Sequence, residues 1–85
     1  MKLTYERDAV RGLADMPPRH RRRLTERLAA IARDQHASHA NVKALKGRTG
    51  FRVRQGDWRA IYRVDRPSHT VYVEAIGPRG SVYDD

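Results

Sequence analysis

The apolar and polar positions of the chain change period once, near residue 50. Before that point the apolar residues recur at helical spacing. Ala9, Val10, Leu13 and Ala14 give one stripe, and Leu24, Leu28, Ile31 and Ala32 give a second at i, i+4, i+7, i+8. After it they alternate. In "FRVRQGDWRAIYRV" Phe51, Val53, Trp58, Ala60, Tyr62 and Val64 take one side, and Arg52, Arg54, Arg59 and Arg63 the other. The pattern predicts a short strand over residues 2–5 and helices over 6–15 and 18–35. Three strands over 50–55, 58–65 and 70–76 follow.

The junctions support these spans. Thr4 is a candidate cap for the first helix, with Glu6 and Asp8 favourable in its first turn. Gly12 weakens that helix by about 1 kcal/mol relative to alanine. "DMPP" at 15–18 breaks the chain, and prolines are tolerated where a new helix starts. Residues 36–50 read as a polar connection anchored by Leu45. Gly56-Asp57 and "RPSH" at 66–69 are short turns, so the three strands are antiparallel. The expected architecture is α+β, a β-α-α-β-β-β chain whose N-terminal strand and helical hairpin pack on a twisted antiparallel sheet. Phe51, Val53, Trp58, Ala60, Tyr62, Val64, Val71, Val73 and Ala75 are expected to face the helices. Arg52, Arg54, Arg59, Arg63, Tyr72 and Glu74 are expected to face away.

Composition adds a partner class to this picture. Eighty-five residues make one domain at most. The net charge is +8, from Lys+Arg 18 against Asp+Glu 10, which attracts polyanions. Between residues 41 and 63 the cations are Lys43, Lys46, Arg48, Arg52, Arg54, Arg59 and Arg63, and the acid is Asp57, giving 7 − 1 = +6. Like charges on neighbouring strands repel. Two readings follow: a face that holds phosphates, or a solvated face eased by Glu74 and Asp65. The tail "AIGPRGSVYDD" sets Arg79 and Tyr83 beside that face, to clamp a phosphate and stack a base, or as an exposed arginine and a terminal anchor. The run "RHRRR" at 19–23 is either a polyanion contact or a solvated helix face.

Other chemistries find little here. There is no cysteine, which suits a reducing cytoplasm, and no long apolar stretch for a membrane helix or signal peptide. His20, His36, His39 and His69 read as loop or helix-start residues off the arginine face. His36-x-x-His39 lacks an evident third ligand, so neither a metal nor a cofactor is expected.

"NVKALKGRTGFRVRQGDWRAIYRV", followed by "VYVEAIGPRGSVY", resembles the RelE/ParE superfamily of bacterial toxins over about residues 41–83. The ordered set is Leu45, Gly47, Arg52, Arg54, Gly56, Asp57, Trp58, Arg59, Tyr62, Gly77, Arg79 and Tyr83. The resemblance implies a helical hairpin on an antiparallel sheet and, for the RelE branch, an endoribonuclease that cuts messenger RNA on the ribosome. It implies that Arg59 stabilises the scissile phosphate, Arg79 lies near the leaving group, and Tyr83 stacks on or orients the nucleotide. Arg52 and Arg54 fall where such toxins can carry lysines, and with Lys43, Lys46 and Arg48 they are the expected RNA- or phosphate-binding residues. The sequence departs from the pattern in two ways. Arginine is a poor base, and Pro78 stands where many relatives have histidine. An acidic antitoxin, the ribosome and mRNA are the implied partners, with no membrane, in the cytoplasm. A ParE-like inhibitor of DNA gyrase and a basic nucleic-acid-binding module are the alternatives.

Overall fold

The computed structural model describes all residues except 35, 36, 38 and 83–85. The chain runs β1 (Lys2–Tyr5), α1 (Arg7–Asp15), α2 (Pro18–Arg33), β2 (Val42–Ala44), β3 (Phe51–Gln55), β4 (Trp58–Asp65) and β5 (Thr70–Pro78). Five strands form one sheet in the order β1-β5-β4-β3-β2. The α+β class is as the sequence predicts, and the predicted elements occur in the predicted order with one further strand, β2, among them.

Two features extend the expectation. Val42–Ala44, inside the expected polar connection, forms the edge strand β2, pairing Val42 with Val53 and Lys43 with Arg52. At the other edge β1 runs parallel to β5, pairing Lys2 with Thr70 and Tyr5 with Val73. The sheet is therefore mixed. The β3–β4 turn also accounts for its Gly-Asp order. Gly56 has φ +59 and Asp57 is not in the left-handed region, the pattern of a II′ turn with glycine first.

α1 starts one residue later than expected, and Thr4 does not cap it. Thr4 lies in β1 opposite Tyr72, while Glu6 is the residue before the helix. The Glu6 N–H donates to the Val73 carbonyl at 2.9 Å, continuing the sheet ladder instead. α2 ends at Arg33, with the Asp34 N–H closing on the Ala30 carbonyl at 3.1 Å. The predicted last residue of that helix lies outside the described residues.

The core lies between the helices and one face of the sheet. Leu24, Leu28 and Ile31 from α2 meet Val53, Ala60, Val71 and Val73, all essentially inaccessible. The stripe on α1 is not the expected one. Ala9 and Gly12 are buried and Leu13 half-buried, whereas Val10 is 54% exposed. Gly12 has a positive role in this packing. A Cβ there would lie 1.9 Å from the Ile76 carbonyl oxygen, so glycine alone lets α1 rest on the β5 backbone.

β5 carries a register shift that the alternation does not show. Ile61 pairs with Ala75 and Tyr62 with Val73, leaving Glu74 as the extra residue of a bulge. Two successive residues then share one side of the strand. Ala75 moves out of the helix-facing set, and Ile76, 4% exposed, takes its place in the core.

Candidate functional site

Directly opposed residues on paired strands share a face, so the register places the arginines. Lys43, Arg52, Ile61 and Ala75 form one row across the face away from the helices. Arg54, Arg59 and Gly77 form the next row, toward the β3–β4 turn. Thr4, Tyr72 and Arg63 form a third at the opposite end.

This face is not the uniformly solvated surface that alternation suggests. Arg52 and Arg59 are each only 4% exposed, and Ile61 is 2% exposed between them and β5. Arg59 folds back on its own hairpin. Its Nη1 donates to the Gly56 carbonyl at 3.2 Å and to the Trp58 carbonyl at 3.3 Å. The turn is thus held by the side chain it presents. Lys43, Lys46, Arg48, Arg54 and Arg79 are exposed.

Of the two acids expected to ease this face, Glu74 reaches its arginines, whereas Asp65 serves its own turn. The bulge aims Glu74 across the face. Arg48 Nη2 donates to its Oε1 at 2.6 Å, and Arg63 Nη1 donates to its Oε2 at 3.3 Å. Arg63 also lies 3.9 Å from a Glu6 carboxylate oxygen and 4.2 Å over the Tyr72 ring, a cation–π contact. Asp65 instead accepts from the Ser68 N–H at 3.2 Å and from the Ser68 hydroxyl, organising the β4–β5 turn. Arg48 and Arg63 are therefore neutralised locally, and the Arg54 end is not served by Glu74.

The segment after β5 is docked at that same end. The Arg79 N–H donates to the Asp57 carbonyl at 2.7 Å, and Trp58 pairs with Pro78. Gly77 makes room for the returning chain, since a Cβ there would lie 2.5 Å from Ser81 Oγ. Arg54, Arg59 and Arg79 thus belong to one end of the sheet, around the Gly56-Asp57 turn. Tyr83 lies outside the described residues, as does His36.

The histidine reading misses one position. His20, from the first turn of α2, packs its ring against the β3–β4 turn, with Cε1 3.2 Å from where a Gly56 Cβ would sit. Sequence spacing gives no sign of this contact. On the helix-facing side burial pushes the Tyr62 phenol up to about 12, and burial also raises Tyr5. Among the described residues no three His, Cys, Asp or Glu side chains converge as metal ligands. No helix among them is long and apolar enough to cross a membrane.

A small α+β fold with arginines gathered at one end of its sheet is the class that this arrangement defines. The family model for the ParE toxin of type II toxin–antitoxin systems (parDE) matches residues 3–83, and the chain belongs to that family. No curated protein matches it significantly. Among solved structures it is similar to the toxin–antitoxin complex RelBE2 of Mycobacterium tuberculosis. The identity is 25% and the TM-score 0.74, covering 92% of this chain and 96% of that one. It is also similar to the archaeal RelE–RelB complex of Pyrococcus horikoshii OT3, at 25% identity and TM-score 0.78, covering 95% and 97%. The YoeB/ParE toxin of Agrobacterium tumefaciens shares the fold, with TM-score 0.77 at 18% identity over 93% of this chain and 99% of that one.

Proposed function

We propose that this toxin is a ribosome-dependent mRNA endonuclease that cuts by attack of a ribose 2′-hydroxyl on the adjacent phosphate. The observation that carries the reading is the gathering of Arg54, Arg59 and the docked Arg79 segment around one turn. The reaction removes a proton from the 2′-oxygen, builds negative charge on a pentacoordinate phosphorus, and returns a proton to the departing 5′-oxygen. Arg59 supplies a preorganised positive charge for the phosphorus, in a buried setting where such charge acts strongly. Arg79 faces the leaving group, and Tyr83 stacks on the nucleotide. Lys43, Lys46, Arg48 and Arg54 hold the RNA backbone, and Arg52 adds to the field beneath it. Arginines neither accept the 2′-proton nor readily give one to the 5′-oxygen, so on this reading the ribosome or solvent supplies both groups, and Arg79 eases the charge on the departing oxygen. This is the physical sense of ribosome dependence on this reading. An acidic antitoxin, neutralising the +8 chain in the cytoplasm, is the expected protein partner. The two relatives crystallised as RelBE2 and RelE–RelB complexes support that expectation.

Two observations favour a second reading, a ParE-like inhibitor of DNA gyrase that hydrolyses nothing. Pro78 replaces a titratable side chain beside Arg79, and Arg59 is already bonded to backbone carbonyls. Expression in a translation system, with primer-extension mapping of messenger RNA, separates the two. Cuts within translated codons are expected. Arg79→Ala lowers them by about 100-fold, the scale of losing one transition-state donor. Arg59→Lys and Tyr83→Phe also lower them. Intact messenger accompanied by DNA damage would assign the protein to gyrase.

A further inference from the structure

The run Arg19-His20-Arg21-Arg22-Arg23 opens α2, and the fold divides its labour. Arg21 closes the end of α1, its Nε donating to the Leu13 carbonyl at 3.0 Å and its Nη2 to the Met16 carbonyl at 2.9 Å. His20 packs on the β3–β4 turn. Arg19, Arg22 and Arg23 are exposed and, with Pro18, line an open concavity of about 380 Å³. Among the described residues none of the three makes an ion pair, and the first turn of α2 holds no acid. Their i, i+3 and i+4 spacing stacks like charges on one face. They also sit at the helix end where cations are unfavourable. The fold therefore holds a like-charge cluster that no ion pair among the described residues neutralises, with Glu26 the nearest acid along the helix.

We propose that Arg19, Arg22 and Arg23 form a second nucleic-acid contact, gripping phosphodiesters on the helical side of the β3–β4 turn. Guanidinium forks match phosphate oxygens. The chemistry of the surroundings favours nucleic acid over an acidic protein. A protein interface needs an apolar centre, and the only exposed large hydrophobic residue among those described is Val10, on α1. The same lack of apolar and aromatic side chains argues against a membrane surface. The His20–Gly56 contact sets the first turn of α2 against the β3–β4 turn, whose Gly56 carbonyl accepts from Arg59. A strand passing that turn meets basic side chains on both sides of it. This contact does not depend on cleavage.

The test is fluorescence anisotropy of the intact protein with a short unstructured RNA, and with DNA of the same sequence, from about 50 to about 200 mM salt. In the Arg19→Gln/Arg22→Gln/Arg23→Gln variant the slope of log affinity against log salt should shrink by about 2, with at least a tenfold loss at the low-salt end, about 0.7 per phosphate contact on single strands. The losses should be equal on RNA and DNA. Arg7→Gln/Arg33→Gln/Arg66→Gln removes the same charge from dispersed exposed sites and should stay within about twofold of the parent. If the triple variant does not fold, as judged by circular dichroism, Arg19→Gln and Arg23→Gln alone should each reduce the slope by about 0.7. An unchanged slope, an equal loss in the dispersed variant, or a loss on only one nucleic acid overturns the proposal. So does unchanged RNA binding with loss of a copurifying acidic protein. A changed slope with no messenger cleavage would retire the nuclease reading and leave this contact standing.

Discussion

The two faces of the sheet are built from the same alternating strands, yet they are stabilised in different ways. The helix-facing side is closed by shape. Val53, Ala60, Val71 and Val73 meet α2, and α1 touches β5 backbone to backbone at Gly12. The other side is closed by charge and hydrogen bonds. Glu74 holds Arg48 and Arg63, and Arg59 bonds the carbonyls of its own turn. Apolar packing is non-directional and tolerates no added volume. The polar face is directional, and each exposed pair on it is worth little singly. The fold therefore draws its stability from one face and leaves the other free to carry repulsive chemistry.

The largest effect should come from breaking the shape-closed face. Gly12→Ala places a methyl group inside the Ile76 carbonyl and should destabilise by about 3 kcal/mol or more, at the upper end of overpacking effects. Urea unfolding checks it, and a change below about 1 kcal/mol would mean that α1 can slide off β5 without loss. An intermediate effect should appear in alkali. Burial raises the folded Tyr62 phenol above its unfolded value, to about 12. A group whose folded pKa is raised contributes fully below the unfolded value and loses that contribution as pH climbs. From Tyr62 alone stability should fall between about pH 10 and 12, by about 2–3 kcal/mol at most, and Tyr5, also raised by burial, adds to the fall. Tyr62→Phe should flatten that part of the thermal-melting profile. The smallest effect should come from the charged face. Glu74→Gln removes the negative charge that both arginines meet, but Arg48 is 51% exposed and Arg63 40% exposed. The cost should stay under about 1 kcal/mol and shrink further in salt. A larger loss would show that the second face contributes to folding as the first does.

Much of this contrast is legible along the chain, because alternation reports which side a residue takes. It gives β3, β4 and the start of β5, and it puts Arg52, Arg54, Arg59 and Arg63 together. It cannot report what covers a side, so the burial of Arg52, Arg59 and Ile61 is invisible to it. The bulge at Glu74 hides for a related reason: one extra residue inverts the pattern after it, and Ala75 and Ile76 exchange roles. β2 is three residues long, too short to show a period. Gly12 reads as a defect in a helix because its justification lies in the backbone of β5, far along the chain. At the site, the convergence of Arg54, Arg59 and Arg79 rests on a backbone bond from Arg79 to Asp57, which no side-chain pattern encodes. The His20–Gly56 contact is equally silent in the sequence.

The parallel pairing of β1 with β5 also sets an order in time. Lys2 finds its ladder partner only at Thr70, and α1 finds its seat only at Ile76. During synthesis the first strand and the first helix must wait, with α2 and the β3–β4 hairpin able to form from nearby residues meanwhile. Contacts between distant parts of a chain form late and slow the search. The hairpin that carries Arg59 can thus exist before the fold closes, while the segment holding Arg79 arrives with the last strand. The arginine site is therefore complete only when the last strand has docked on that hairpin.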